Sequence, residues 1–254
     1  MDVMVSLAGL SVGFLIGLTG VGGGAIMTPL LIFGFGIPAA VAVGTDLLYA
    51  AFTKLGGVWS HARQNTVDWG VVARLASGSI PAAILTLIVL NQMKVNDQQA
   101  NLDLLITTTL GVALIVTALS LLLRHRLREA KFAWVLRWQK PGTVVVGVVV
   151  GVMVTVSSVG AGALGAAALF WLYPRLSAAR VVGTDIAHAV PLTAVAGFGH
   201  WQLGNVDYVL LGTLLLGSLP GIYLGSRFST KLPEQIMRPM MAVLLMAIGI
   251  RLVA

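Results

Sequence analysis

Of the 254 residues, 57% are hydrophobic and only 10% charged, and the mean hydropathy of +0.94 lies well outside the range of a soluble globular domain. The solvent for most of this chain is lipid, which excludes a water-soluble enzyme, and the absence of Cys excludes a disulfide framework, a thiol nucleophile and a cysteine metal site. A net charge of +7 does not point to nucleic acid, because the basic residues fall in short stretches between apolar runs, the pattern that orients a chain in a membrane.

In chain order, the apolar segments predicted as helices are 3–19, 24–36, 39–60, 70–90 and 102–123, then 142–158, 161–173, 180–199, 208–225 and 236–253. Their apolar runs are continuous rather than alternating, so an all-α integral membrane bundle is expected and a transmembrane barrel is not. The first run lacks a basic head and a small-residue cleavage site, and reads as retained structure. Between the two sets of five lies "RHRLREAKFAWVLRWQK", part of a basic linker at 124–141.

Aligned against itself, the chain matches at a constant offset of 139 residues from about residue 20 to residue 82. Val43-Gly44-Thr45-Asp46 falls on Val182-Gly183-Thr184-Asp185, His61 on His200, Asp68 on Asp207, and "GSIP" at 78–81 on "GSLP" at 217–220. Asp, His and Pro coinciding in one frame indicate a tandem duplication, with repeats at 1–123 and 142–254. Five segments per repeat is an odd number, so the second repeat is expected to be inverted. Cytoplasmic loops collect Lys and Arg. With the central linker cytoplasmic, inversion puts Arg63, Arg175, Arg180, Arg227 and Lys231 on the same side and leaves Lys94 and Arg251 outside.

The second segment of each repeat, at 24–36 and 161–173, has 13 residues, too few to span comfortably, so between eight and ten of the segments cross. Each short segment follows a break, "TGVGGG" at 19–24 and "SSVGAG" at 157–162. Short, glycine-interrupted segments at matching places in two repeats are the sequence pointer to a transporter's binding site. A helix starting after such a break directs unpaired N–H groups and the positive end of its dipole into it, an anion site that needs no charged side chain. The candidate ligands are the backbone of Gly22, Gly23, Gly24 and Ala25 with the hydroxyls of Thr19, Thr45, Ser157, Ser158 and Thr184. Close helix packing is the other reading of the glycines.

Asp46 lies seven residues into its segment, about 10 Å of helical rise, and Asp185 five into its own, about 8 Å. Measured from opposite surfaces, they do not form a close dyad; each either braces a broken helix or carries a coupling proton. Lys54, on the Asp46 face, either snorkels to the interface or offers the cavity a positive charge. His188, one turn beyond Asp185, is either a satisfied buried histidine or a sharer of that acid's proton. His61, His200, Asp68 and Asp207 read as caps and interfacial anchors, and Pro81, Pro191 and Pro220 as kinks.

The stretches "GLTGVGGGAIMTPLL" at 17–31, "AVAVGTDLL" at 40–48 and "HARQNTVDW" at 61–69, with the Gly-Ser-Ile-Pro turn and the echoes in the second repeat, resemble the TauE/SafE family of sulfite exporters and sulfonate permeases. The resemblance covers nearly the whole chain and implies transport of small sulfur-containing anions. The expected protein is thus a secondary transporter of the cell inner membrane working by alternating access, with the bilayer and a small anion as its partners, the proton as a candidate coupling ion, and no cofactor, metal or nucleic acid. The rival is a proton- or cation-coupled exchanger with Asp46 and Asp185 as the transport site. An intramembrane hydrolase using both acids is disfavoured, since inversion separates them.

Overall fold

The computed structural model describes residues 2–19, 24–96, 98–129, 133–228 and 234–253. Among these, ten α-helices and no strands are found: α1 (Asp2–Thr19), α2 (Gly24–Phe35), α3 (Ala39–Arg63), α4 (Trp69–Val95), α5 (Gln99–Glu129), α6 (Ala133–Ser157), α7 (Ala163–Leu172), α8 (Ala178–Gln202), α9 (Tyr208–Phe228) and α10 (Glu234–Val253). All ten predicted segments are present. Five of the helices are long and apolar enough to cross a membrane. The 12-residue α2 and the 10-residue α7 rise only about 18 and 15 Å, roughly half of a hydrocarbon core.

Most helices run beyond their apolar windows. Residues 124–129 and 133–141, expected as a linker, continue α5 and α6. The physical reason is that Lys, Arg and Glu are good helix formers; a charged stretch ends the lipid-facing run without ending the helix. Real ends are set by caps: Asp68 accepts from the N–H of Val71 at 3.1 Å, Ser177 from Arg180 at 3.3 Å and Asp207 from Leu210 at 2.9 Å. Pro81, Pro191 and Pro220 lie inside α4, α8 and α9, which continue through them.

Because lipid tails are as apolar as leucine, helices here associate through close packing rather than the hydrophobic effect. α1 lies along α9 with backbone on backbone. A Cβ added to Gly13 would stand 2.7 Å from the Ser218 Cα, and one on Gly217 would stand 2.0 Å from the Ser6 carbonyl oxygen. The same contact recurs between α4 and α6, where a Cβ on Gly78 would meet the Val144 carbonyl oxygen at 2.2 Å and one on Gly147 the Leu75 oxygen at 2.3 Å. Each half of the chain thus lends its first helix to the fourth helix of the other.

Contacts between equivalent helices are reciprocal. Gly44 of α3 packs on Asn205 and His200, and Gly183 of α8 packs on Thr66 and His61. Further along, Gly197 faces Leu48 and Gly57 faces Ile186, so α3 and α8 run antiparallel. α5 and α10 cross with Gly111 and Gly249 against each other's backbone; Gly111 also meets Val253 and Gly249 meets Ile115, again an antiparallel order.

Gly217→Val forces a branched side chain into the Ser6 backbone, and overpacking of this kind costs about 3 kcal/mol or more. The expected result is a lower thermal midpoint in a fixed detergent, or loss of monodisperse protein on size exclusion. Gly212→Ala, where an added Cβ meets nothing within 4 Å, is expected to leave both unchanged.

Candidate functional site

The start of α2 meets the break before α7 in the interior. Gly24, the first residue of α2, lies against the break before α7 so closely that a Cβ would stand 2.0 Å from the Ser158 carbonyl oxygen and 3.0 Å from its Oγ. The second break is a compact turn with Ser158, Gly160 and Gly162 at positive φ (58°, 124° and 135°). Its N–H groups are only partly used: Ser158 donates to Val154, Val159 to Ser157 Oγ, Gly165 to Gly160 and Ala166 to Gly162. Those from Gly160 to Leu164 have no acceptor among the described residues. They enter the first turn of α7, where the helix dipole is positive.

A narrow cleft with room for about one water molecule opens here, lined by Gly24, Ala25, Thr117, Ser158, Val159, Gly160, Ala161 and Ala163. Thr117, from α5, and Ser158 are 1% and 5% exposed; neither hydroxyl oxygen is within hydrogen-bonding geometry of a partner among the described residues, and that of Ser158 stands beside the Asp46 carboxylate. Lys54 Nζ donates to the Ala161 carbonyl at 2.9 Å, at the wall of this cleft. Of its two sequence readings, the one that turns it inward therefore describes the structure. Its charge acts on both Asp185 and Asp46.

The two carboxylates have different surroundings. Asp46, fully buried, accepts from Thr28 Oγ1 of α2 at 2.7 Å through Oδ2, with Ser158 beside it; its Oδ1 has no partner. Asp185, 2% exposed, lies against the first turn of α7, with Oδ1 where a Cβ of Gly165 would be, 2.0 Å away. That oxygen has no hydrogen-bond partner either. His188, one turn on, shares a 2.7 Å hydrogen bond with Ser79 Oγ through Nε2, while Nδ1 is unpartnered. Its counterpart in the first repeat is Tyr49, which faces Ser218, the counterpart of Ser79.

Of the expected ligands, Gly24, Ala25 and Ser158 line the cleft. Gly22 and Gly23 lie outside the described residues, as does the side chain of Thr19. Ser157 Oγ donates to the Met153 carbonyl at 2.7 Å and accepts from Val159. Thr45 and Thr184 are not among the residues lining the cleft. Thr45 Oγ1 accepts from the N–H of Asp207 at 3.1 Å and Thr184 Oγ1 from that of Asp68 at 2.9 Å. The two threonines of the repeated motif thus hold each repeat's third helix to the capping turn of the other. Thr28, Thr117 and Gly165 were not singled out by the sequence, although a hydroxyl inside an apolar span, as at Thr28 and Thr117, is a usable signal.

This architecture, one short helix starting against the break before a second within an all-helical bundle, can be compared with known proteins. The model of the sulfite exporter TauE/SafE family matches residues 5–252. The chain belongs to the TauE/SafE family. It is a multi-pass membrane transporter of that family. It is 41% identical to a probable membrane transporter protein of Bacillus subtilis, YjnA, over the full length of both chains. It is 29% identical to a second, YdhB, over 89% of each. An archaeal relative, the probable membrane transporter protein MJ0441 of Methanocaldococcus jannaschii, is 25% identical over 97% of this chain and 93% of its own. No solved structure matches.

Thr28→Val removes the donor to a fully buried carboxylate. It is expected to destabilise the protein by about 1.5–3 kcal/mol, the range for hydrogen bonds to charged groups. The drop is read as a lower thermal midpoint in detergent, and Thr28→Ser is expected to restore most of it.

Proposed function

We propose that the protein moves small sulfur-containing oxyanions, such as sulfite or an organosulfonate, across the cell inner membrane by alternating access between two inverted repeats. The observation that carries this reading is the cleft where the start of α2 meets the break before α7. N–H groups at the start of α7 and the hydroxyls of Ser158 and Thr117, without hydrogen-bond partners among the described residues, stand there, and the Lys54 ammonium reaches the carbonyl of Ala161 in its wall. All are donors, and Lys54 supplies the positive charge that discriminates for an anion.

Inversion is supported by the antiparallel course of α3 against α8 and of α5 against α10. In a membrane, equivalent helices of opposite direction place the two repeats upside down to each other. Orientation follows from charge. The end of α3 with Arg63 meets the start of α8 with Arg180, whereas Lys94 reaches the Leu203 carbonyl near the far end of α8. The richer cationic face, with the central basic stretch, is then cytoplasmic. Alternating access moves helices about the cleft, and the close small-residue crossings of α1 with α9 and of α4 with α6 tie helices of different repeats into pairs that move as units.

A second reading makes Asp46 and Asp185 themselves the transport site for a proton or cation, favoured by the one unpartnered oxygen on each. The two readings separate on substitution. With Asn at both positions an anion site retains binding, whereas a cation site loses it.

Uptake into vesicles reconstituted with the purified protein tests the first reading, comparing sulfite, sulfate, sulfoacetate and taurine with and without a proton gradient. At least one sulfur anion is expected to be taken up and to be competed by the others; no movement and no competition by any would refute the substrate class. Lys54→Met is expected to weaken the apparent affinity about thirtyfold or more, the equivalent of roughly 2 kcal/mol of charge-assisted binding.

A further inference from the structure

The two crossed pairs, α1 with α9 and α4 with α6, stand in equivalent places, but the bundle does not hold them equally. α4 and α6 are joined along their length to α8 and to the turn before it. At the start of α4 the N–H of Asp68 donates to Thr184 Oγ1 of α8 at 2.9 Å. Further along, Ser79 Oγ and His188 Nε2 of α8 share a 2.7 Å hydrogen bond, and His200 Nε2 of α8 donates to the Thr155 carbonyl of α6 at 2.9 Å. Tyr173, between α7 and α8, shares a 2.8 Å hydrogen bond with Thr143 of α6 and accepts from Arg74 of α4 at 3.5 Å. Gln139 of α6 donates to the neighbouring Leu172 carbonyl at 2.8 Å. Moved by the repeat offset, the same positions give α1 and α9 one counterpart. Asp207 donates to Thr45 Oγ1 of α3 at 3.1 Å. The Tyr49 hydroxyl faces Ser218 of α9 without reaching hydrogen-bonding geometry, and Ser218 donates to the Leu215 carbonyl of its own helix at 3.5 Å. His61, matching His200, shares its hydrogen bond with Thr66 of its own turn at 2.8 Å. Tyr173 corresponds to Gly34 and Arg74 to Thr213, whose hydroxyl donates to the Val209 carbonyl of its own helix at 2.6 Å, so that junction has no equivalent. One more bond, from Trp201 of α8 to Tyr208 of α9, lies at the Asp207 end as well.

We propose that the two pairs do not share the motion: α4, α6 and α8 form one rigid frame, and the α1 and α9 pair is the moving element, pivoting at its Asp207 end. This rests on the reading of the protein as an alternating-access transporter and adds which part moves. Where lipid removes the hydrophobic drive between helices, packing and interhelical hydrogen bonds hold them together, so the pair with fewer bonds to its neighbours separates from them first. Backbone-on-backbone contact through Gly13 and Gly217 keeps α1 and α9 together as they swing. Thr45, with the contact of Trp201 to Tyr208, fixes the start of α9 while its far end changes distance from α8. The equivalent threonine, Thr184, is one of several bonds on the frame and carries no such role alone.

Because the chain has no cysteine, pairs of spin labels can be placed without removing any native residue's thiol. In the full-length protein in lipid nanodiscs, Ala179→Cys at the start of α8 is paired with Ala73→Cys on α4 or with Leu224→Cys near the end of α9, all exposed positions. Distance distributions are read by pulsed electron paramagnetic resonance, and sulfite uptake into vesicles is measured on the same proteins. A single narrow distribution is expected for the α8 and α4 pair, and a broader one with a second, shifted population for the α8 and α9 pair. A third pair, Val95→Cys with Val209→Cys, reports on the Asp207 end; Thr45→Val is expected to broaden it. Thr184→Val is expected to leave the α8 and α4 pair unchanged. The comparison of widths is made with both threonines in place, so it decides the matter even if a Thr variant does not fold. Equal widths, or a broader α8 and α4 pair, overturn the inference, and sulfite uptake in that case leaves the alternating-access reading standing. Equal widths with no uptake bring down both.

Discussion

A carboxylate inside a bilayer has no water to compensate it, so every buried charge in this protein must be matched by protein atoms. That constraint organises the centre of the fold. Two aspartates, one on α3 and one on α8, are buried here; a threonine hydroxyl meets one oxygen of Asp46, and one oxygen of Asp185 lies against the first turn of a short helix without a hydrogen bond among the described residues. Helices that stop half-way across supply what a continuous helix cannot: free N–H groups at membrane depth. Such groups persist only where protein or a wet cavity surrounds them, and here the start of α2 and α5 do so. The short helices, the glycine that lets them meet and the inward-turned lysine are therefore parts of one solution.

The duplication gives this centre its shape, and divergence gives it a direction. Thr45 and Thr184 make the same bond to the other repeat's capping turn, and His188 and Tyr49 face equivalent serines. Where the repeats differ, the chemistry differs. Lys54 corresponds to Thr193, whose hydroxyl folds back on the Ala189 carbonyl of its own helix. Thr28 corresponds to Ala167. Matching helices thus carry different charges at this centre.

Much of this was legible in the sequence, for identifiable reasons. Lipid imposes continuous apolar windows, so the ten helices found among the described residues stood out, and the common offset of Asp, His and Pro is the sequence's own argument for a duplication. Helix ends were less legible, because a basic stretch leaves lipid without leaving the helix, as at 124–129 and 133–141. Thr45 was grouped with Asp46 as a ligand, yet adjacent residues on a helix point about 100° apart, and it turns toward Asp207. Lys54, eight residues beyond Asp46, shares that acid's face, but the spacing leaves open whether its long side chain snorkels to the interface or turns inward, and the bond to Ala161 joins it to a separate segment. The pairing of Thr28 with Asp46 and of Gly165 with Asp185 joins separate helices, and a single chain carries no periodic trace of such contacts.

The exchange of first helices between the repeats also bears on how the protein is made. Ser6 of α1 hydrogen-bonds the backbone of Thr213, 207 residues later. While the ribosome works through the intervening helices, the small-residue face of α1 has no partner, and only the last quarter of the chain provides one. Neither repeat can close its core before the other emerges. Until α9 emerges, the face of α1 that carries Gly9, Gly13 and Gly17 lacks the backbone it packs against in the finished fold.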